Sequence, residues 1–124
     1  MFDSIKNLGA MAGIMKDLPR IKAKMAEVRM RAEQSRVAAS AGGGAVTAVA
    51  SGRMRIENIT IDPVVFQAMA SDSDPANRVL AVELVREACN LALERAQQTM
   101  AEMLGDAARD LNLPISPEQL REFM

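Results

Sequence analysis

Leu18 to Arg36 reads LPRIKAKMAEVRMRAEQSR, with apolar residues at Leu18, Ile21, Met25, Val28 and Ala32. Steps alternating between three and four residues are the period of a helix that packs along another helix. Met11 and Ile14 extend the pattern backwards, and Ser35 is next in line. With Leu18 at position a of a heptad, Lys22, Arg29 and Arg36 fall at e, and Lys24 and Arg31 at g. Glu27 and Glu33 lie on the outer face. A seam flanked by cations on both sides repels its own copy. It fits either an acidic helix or a phosphate backbone, and the rest of the chain is read against those two options.

An acidic helix is present further along. Asp72-Ser73-Asp74-Pro75 is a helix start, a carboxylate cap followed by proline at the first position. The helix it opens is expected to run to about Leu111. Val82, Val85, Cys89, Ala92 and Ala96 make one apolar seam, and Leu80, Leu84 and Leu91 a second line. Two apolar faces suit a helix packed on both a sheet and another helix. Glu83, Glu87, Glu94, Glu102, Asp106 and Asp110 lie along it. Charge follows the same division. Residues 1–36 hold eight Lys/Arg against four Asp/Glu, and residues 62–124 hold five against eleven, although the whole chain is only −1.

Between the helices the period changes from helical to alternating. Val37–Ala41 reads as a short strand, and Gly42-Gly43-Gly44 as a structural turn open to positive φ. No Lys-Ser/Thr follows the glycines, so they do not form a phosphate-cradling loop. Ala45–Ser51 alternates as a strand. Gly52-Arg53 fits a two-residue turn with glycine first. Met54–Ile61 is the next strand, and its apolar parity switches between Ile56 and Ile59, which places a bulge near Glu57-Asn58. Asp62-Pro63 caps a short helix carrying Val64, Phe66 and Met69.

The ends are simpler. Phe2, Ile5, Leu8, Ala12 and Met15 have helical spacing, weakened by Gly9 and Gly13. Only Lys6 and Lys16 would meet lipid head groups, so this reads as a helical arm and not a membrane anchor. Pro19 either starts the main helix or lies within a longer one. Pro114 stops the last long helix, and Ser116-Pro117-Glu118-Gln119 reads as the capping box of a final short helix.

Composition narrows the function. There are 124 residues, ten Met, three Phe and no Trp or Tyr. Such a core is soft and thin, and a homodimer is expected to supply the missing buried surface. Having no His and a single Cys, the chain offers no zinc site, no His-based catalysis and no internal disulfide. No nucleophile sits in a recognisable motif, so an enzyme, a metal, a cofactor and a small-molecule substrate are not expected. No apolar run is long enough to span a membrane, and the chain reads as cytoplasmic.

Ala41-Gly42-Gly43-Gly44-Ala45-Val46, Ser51-Gly52, and Ile56, Ile59 and Ile61-Asp62-Pro63 resemble the YbaB/EbfC family of bacterial nucleoid-associated DNA-binding proteins. Glu83-Leu84, Ala88-Cys89-Asn90 and the Met-containing heptad helix agree with it. The resemblance covers roughly residues 14–104. It implies an α+β fold in α-β-β-β-α order, with a small three-stranded antiparallel sheet and two long helices, dimeric and nucleoid-located. It implies sequence-tolerant binding of double-stranded DNA and no catalysis. Thr47 stands where the family commonly has Lys, and Ala48 and Ala50 replace larger residues.

The domains read as an arm at 1–17, a dimerisation and DNA-binding domain at 18–111, and a tail at 112–124. The candidate phosphate contacts are Lys22, Lys24, Arg29, Arg31 and Arg36 on the first helix, with Arg53 and Arg55 at the hairpin. Lys22, Arg29 and Arg36 recur every seven residues, which predicts one line of cations. The alternative is a protein-binding adaptor whose basic first helix pairs with its acidic second helix.

Overall fold

The computed structural model describes residues 2–70 and 74–112. Helix α1 spans Phe2–Gln34 and contains both the arm and the heptad stretch, with Pro19 inside it. It is followed by β1 (Arg36–Ala41), β2 (Val46–Ser51), β3 (Ile56–Ile61), α2 (Pro63–Ala70) and α3 (Pro75–Leu111). The chain divides into two compact units, one of residues 1–30 and 101–124, the other of residues 31–100. Among the described residues, no helix is long and apolar enough to cross a membrane. The expected final helix at Ser116 lies outside the described residues, as do Asp72 and Ser73 of the expected cap.

The sheet unit is an antiparallel meander in the order β1-β2-β3. Ala39 pairs with Ala48 and Ala41 with Val46 across β1 and β2. Its first turn is built on glycine: Gly42, Gly43 and Gly44 all have positive φ, at 64°, 66° and 96°. Residues with a Cβ rarely adopt three such conformations in succession. The bulge also appears where the parity switch placed it. Val49 pairs with Asn58 and Ala50 with Ile56, which leaves Glu57 as the extra residue.

The second turn differs from the two-residue turn expected. Ser51 N–H donates to the Arg55 carbonyl at 2.8 Å, enclosing three residues, and Met54 rather than Gly52 takes positive φ, at 62°. A three-residue hairpin loop needs its left-handed residue in last place. Gly52 serves a different purpose. A Cβ there would lie 2.6 Å from the Ala32 carbonyl oxygen, and the Gly52 N–H donates to that oxygen at 3.2 Å. The last turn of α1 thus seats on the hairpin.

The core of this unit consists mostly of alanine. Ala39, Ala41, Val46, Ala48 and Ala50 of the sheet meet Ala88, Ala92 and Ala96 of α3. Ala92 and Ala96 of the expected seam are buried, but Val82 at its start is exposed and Ala81 is buried one position earlier. Small residues on both faces let helix and sheet approach closely, so the alanines turn inward and the larger Val79, Leu80 and Val82 are left outside. Asp74 caps α3, its carboxylate accepting from the Ala76 and Asn77 N–H groups at 3.1 and 3.3 Å. Asp62 caps α2 the same way through Val64 N–H at 2.9 Å.

The other unit is a pair of helices. Ile21, Met25 and Val28 of α1 are buried, as are Leu104, Ala107, Ala108 and Leu111 of α3. Arg20 reaches the Leu111 carbonyl and Lys24 reaches Asp110. As the α1 number rises the α3 number falls, which is the order of an antiparallel pair. Asn112, at φ 52°, ends α3 in the left-handed conformation asparagine tolerates.

Candidate nucleic-acid interface

The heptad reading of α1 sorts its cations by position. Ile21, Met25 and Val28 take the seam, and Ile21 is only 1% exposed. That leaves Lys22 and Arg29 exposed on one flank and Lys24 half-buried on the other. Arg31, in the part of α1 that belongs to the sheet unit, is exposed as well.

Lys24 differs from its neighbours. Its side chain is 20% exposed, and its ammonium lies 2.9 Å from an Asp110 carboxylate oxygen and 3.4 Å from one of Glu27. The hydrogen bond to Asp110, opposed in part by desolvation and assisted by the nearby carboxylate charges, holds the Lys24 amine above the usual lysine range. Arg20, which the heptad assigns to an outer position, also works inside this unit. It lies 4.0 Å from Asp17 and donates to the α3 terminal carbonyl of Leu111. That carbonyl has no helical partner of its own.

Within the sheet unit the expected line of cations is broken. α1 ends at Gln34, so Arg36 opens β1 and does not continue the helical row. Its guanidinium pairs with Glu57 at 2.6 Å and donates to the Glu33 and Ser35 carbonyls at 2.6 and 2.8 Å. The bulge that makes Glu57 the extra residue of β3 supplies the partner. Arg53 lies 3.5 Å from Glu33. Arg55, in the same turn, is exposed. Among the described residues, no carboxylate pairs with Lys22, Arg31 or Arg55.

The seven candidates therefore differ in availability. Lys24, Arg36 and Arg53 are held by Asp110, Glu57 and Glu33, while Lys22, Arg31 and Arg55 are exposed and have no acidic partner among the described residues. Heptad position alone does not distinguish these groups, because the partners come from the end of α3 and from a bulge. Arg95, not anticipated as structural, donates to the Ala38 carbonyl of β1 at 2.9 Å and ties α3 to the sheet. Among the described residues, no group of three His, Cys, Asp or Glu side chains is placed to hold a metal ion.

A nucleoid-associated protein of Pseudomonas fluorescens is 31% identical over 106 residues, spanning 86% of this chain and 91% of that one. One from Clostridium novyi is 34% identical over 101 residues, 82% of each chain. The crystal structure of an uncharacterized protein from Helicobacter pylori covers 77% of this chain and 94% of its own, with a TM-score of 0.49 and 16% identity. The pattern that defines the YbaB/EbfC DNA-binding family matches residues 8–111, from the first helix through the end of α3. The glycine turn, the bulged meander and the heptad helix thus lie within that match, and the chain belongs to the YbaB/EbfC DNA-binding family.

Proposed function

We propose that this protein binds duplex DNA as a non-enzymatic homodimer, through phosphate contacts and with little sequence preference, in the cytoplasmic nucleoid. The observations that carry the phosphate reading are the exposure of Lys22 beside the buried Ile21, Met25 and Val28 and, in the sheet unit, the exposure of Arg31, neither paired with a carboxylate among the described residues. The seam holds this part of the helix while Lys22 extends into solvent. Cations of this kind neutralise phosphates and release condensed counterions, which supplies affinity without reading bases. With three Phe and no Trp or Tyr, the chain has few rings for stacking on single strands.

The test is a titration of K22Q/R31Q against labelled duplexes of random and A/T-rich sequence at several salt concentrations. Affinity is expected to fall by a similar factor on all duplexes. The log-affinity against log-salt slope is expected to flatten by roughly 0.9 for each phosphate no longer neutralised. Thermal melts are expected to match the parent, because these residues border the seam without filling it. A folded double variant that keeps the full slope would remove Lys22 and Arg31 from the interface and leave Arg55.

The adaptor reading has one observation in its favour, the Lys24–Asp110 pair, in which a basic α1 residue does meet an acidic α3 residue. It forecasts partner capture that is indifferent to salt, whereas phosphate binding weakens steeply.

A further inference from the structure

We propose that Asp110 is a built-in competitor for phosphate, holding Lys24 out of the DNA interface until a phosphate displaces it, and so sets the affinity of this family member for DNA. The inference rests on the DNA-binding reading above and adds the element that tunes it.

The geometry makes Asp110 a surrogate for the ligand. A carboxylate oxygen 2.9 Å from an ammonium occupies the place that a phosphate oxygen takes in a lysine–phosphate contact. Asp110 is 62% exposed on its side chain, so solvent and polyanions reach the pair from outside. The pair is exposed on its Asp110 side, where salt screens it and an incoming anion meets the Lys24 ammonium. Glu27, also on the exposed side of α1, reinforces the hold at 3.4 Å. The position of Asp110 is firmly defined even though the pair is exposed. Leu111, the next residue, is buried, and its carbonyl is bonded by Arg20. The carboxylate is thereby delivered to Lys24 by the anchored end of α3.

Asp106, one turn earlier, provides the internal comparison. It carries the same charge on the same helix but pairs with Arg109 of α3. A mere reduction of negative charge would make the two aspartates equivalent. Competition for Lys24 makes only Asp110 matter.

The experiment measures duplex binding by fluorescence anisotropy across a salt series for the parent, D110N, D106N and K24Q/D110N. D110N is expected to tighten binding several-fold at low salt, with the gain shrinking as added salt screens the parent's Lys24–Asp110 pair. D106N is expected to stay near the parent. K24Q/D110N is expected to abolish the gain. Circular dichroism reports whether D110N keeps its helices. Should it loosen them, E27Q releases the other carboxylate from Lys24 without touching the α3 end, and a smaller gain is expected from it. Parent-like binding by folded D110N, an equal gain in D106N, or a gain that survives K24Q overturns the proposal. If the parent itself shows no salt-dependent binding, the DNA-binding reading fails and takes this inference with it. A parent that binds while D110N leaves affinity unchanged defeats the exchange alone.

Discussion

At the scale of single residues, glycine serves two different physical needs a few positions apart. Gly43 stands at φ 66° with nothing within 4 Å of the place a Cβ would take. Its constraint is purely conformational. Gly52 has an ordinary φ but no room, since a Cβ would press on the Ala32 carbonyl and backbone. Gly43→Val is therefore expected to destabilise by about 1–3 kcal/mol, the range for a residue forced into a sparsely populated backbone region. Urea melts give the value, and a midpoint equal to the parent's would show that the turn has another route. The need at Gly43 is legible in the sequence, because a run of three glycines between two alternating strand segments is a local signal. The need at Gly52 is not, because the atom it must avoid is twenty residues away in the chain and arrives only when α1 seats on the hairpin.

At the scale of elements, the α3–sheet contact is made almost without bulk. Ala88, Ala92 and Ala96 are fully buried against Ala48 and Ala50, so the spacing between helix and sheet is set by methyl groups. Packing this close leaves no slack for a larger side chain. Ala92→Leu is expected to destabilise the fold by about 1–3 kcal/mol through overpacking, read from the same melts. A neutral or stabilising result would reveal a void between helix and sheet. Sequence periodicity locates α3 and its end at Leu111 correctly, yet it puts Val82 on the buried side and the structure puts Ala81 there. The period is a local property. Which of two adjacent stripes turns inward depends on the opposing sheet, whose alanines favour the smaller one. The same dependence removes Arg36 from the cation row, because β1 pairing with β2 begins at Arg36 and ends the helix at Gln34.

At the scale of the whole molecule, the sheet unit is incompletely covered. Every residue of α2 escapes burial, with Val64 at 73% and Phe66 at 60% exposure. Ile59 stands 40% exposed although its partner in the ladder, Ala48, is fully buried. β3 is also an edge strand, and Val79, Leu80 and Val82 add apolar surface at the start of α3. A second copy of the chain is the occupant we propose for these surfaces, since a small domain with a core of alanines gains most from burying more apolar area. Light scattering is expected to give twice the 13.4 kDa chain mass. Phe66→Asp is expected to shift the protein toward the monomer and lower its melting temperature. A parent that scatters as a monomer at micromolar concentration would overturn the homodimer. The element order, the glycine turn, the bulge at Glu57 and the buried face of α1 follow from period, parity and backbone chemistry, all local quantities that a sequence carries openly. Tertiary structure alone decided which cations are available. Lys24 and Lys22 stand two residues apart in one heptad, but the end of α3 brings Asp110 to Lys24 and no carboxylate to Lys22. Charge pairing depends on distance in space, and residues 24 and 110 become neighbours only when the two helices run antiparallel.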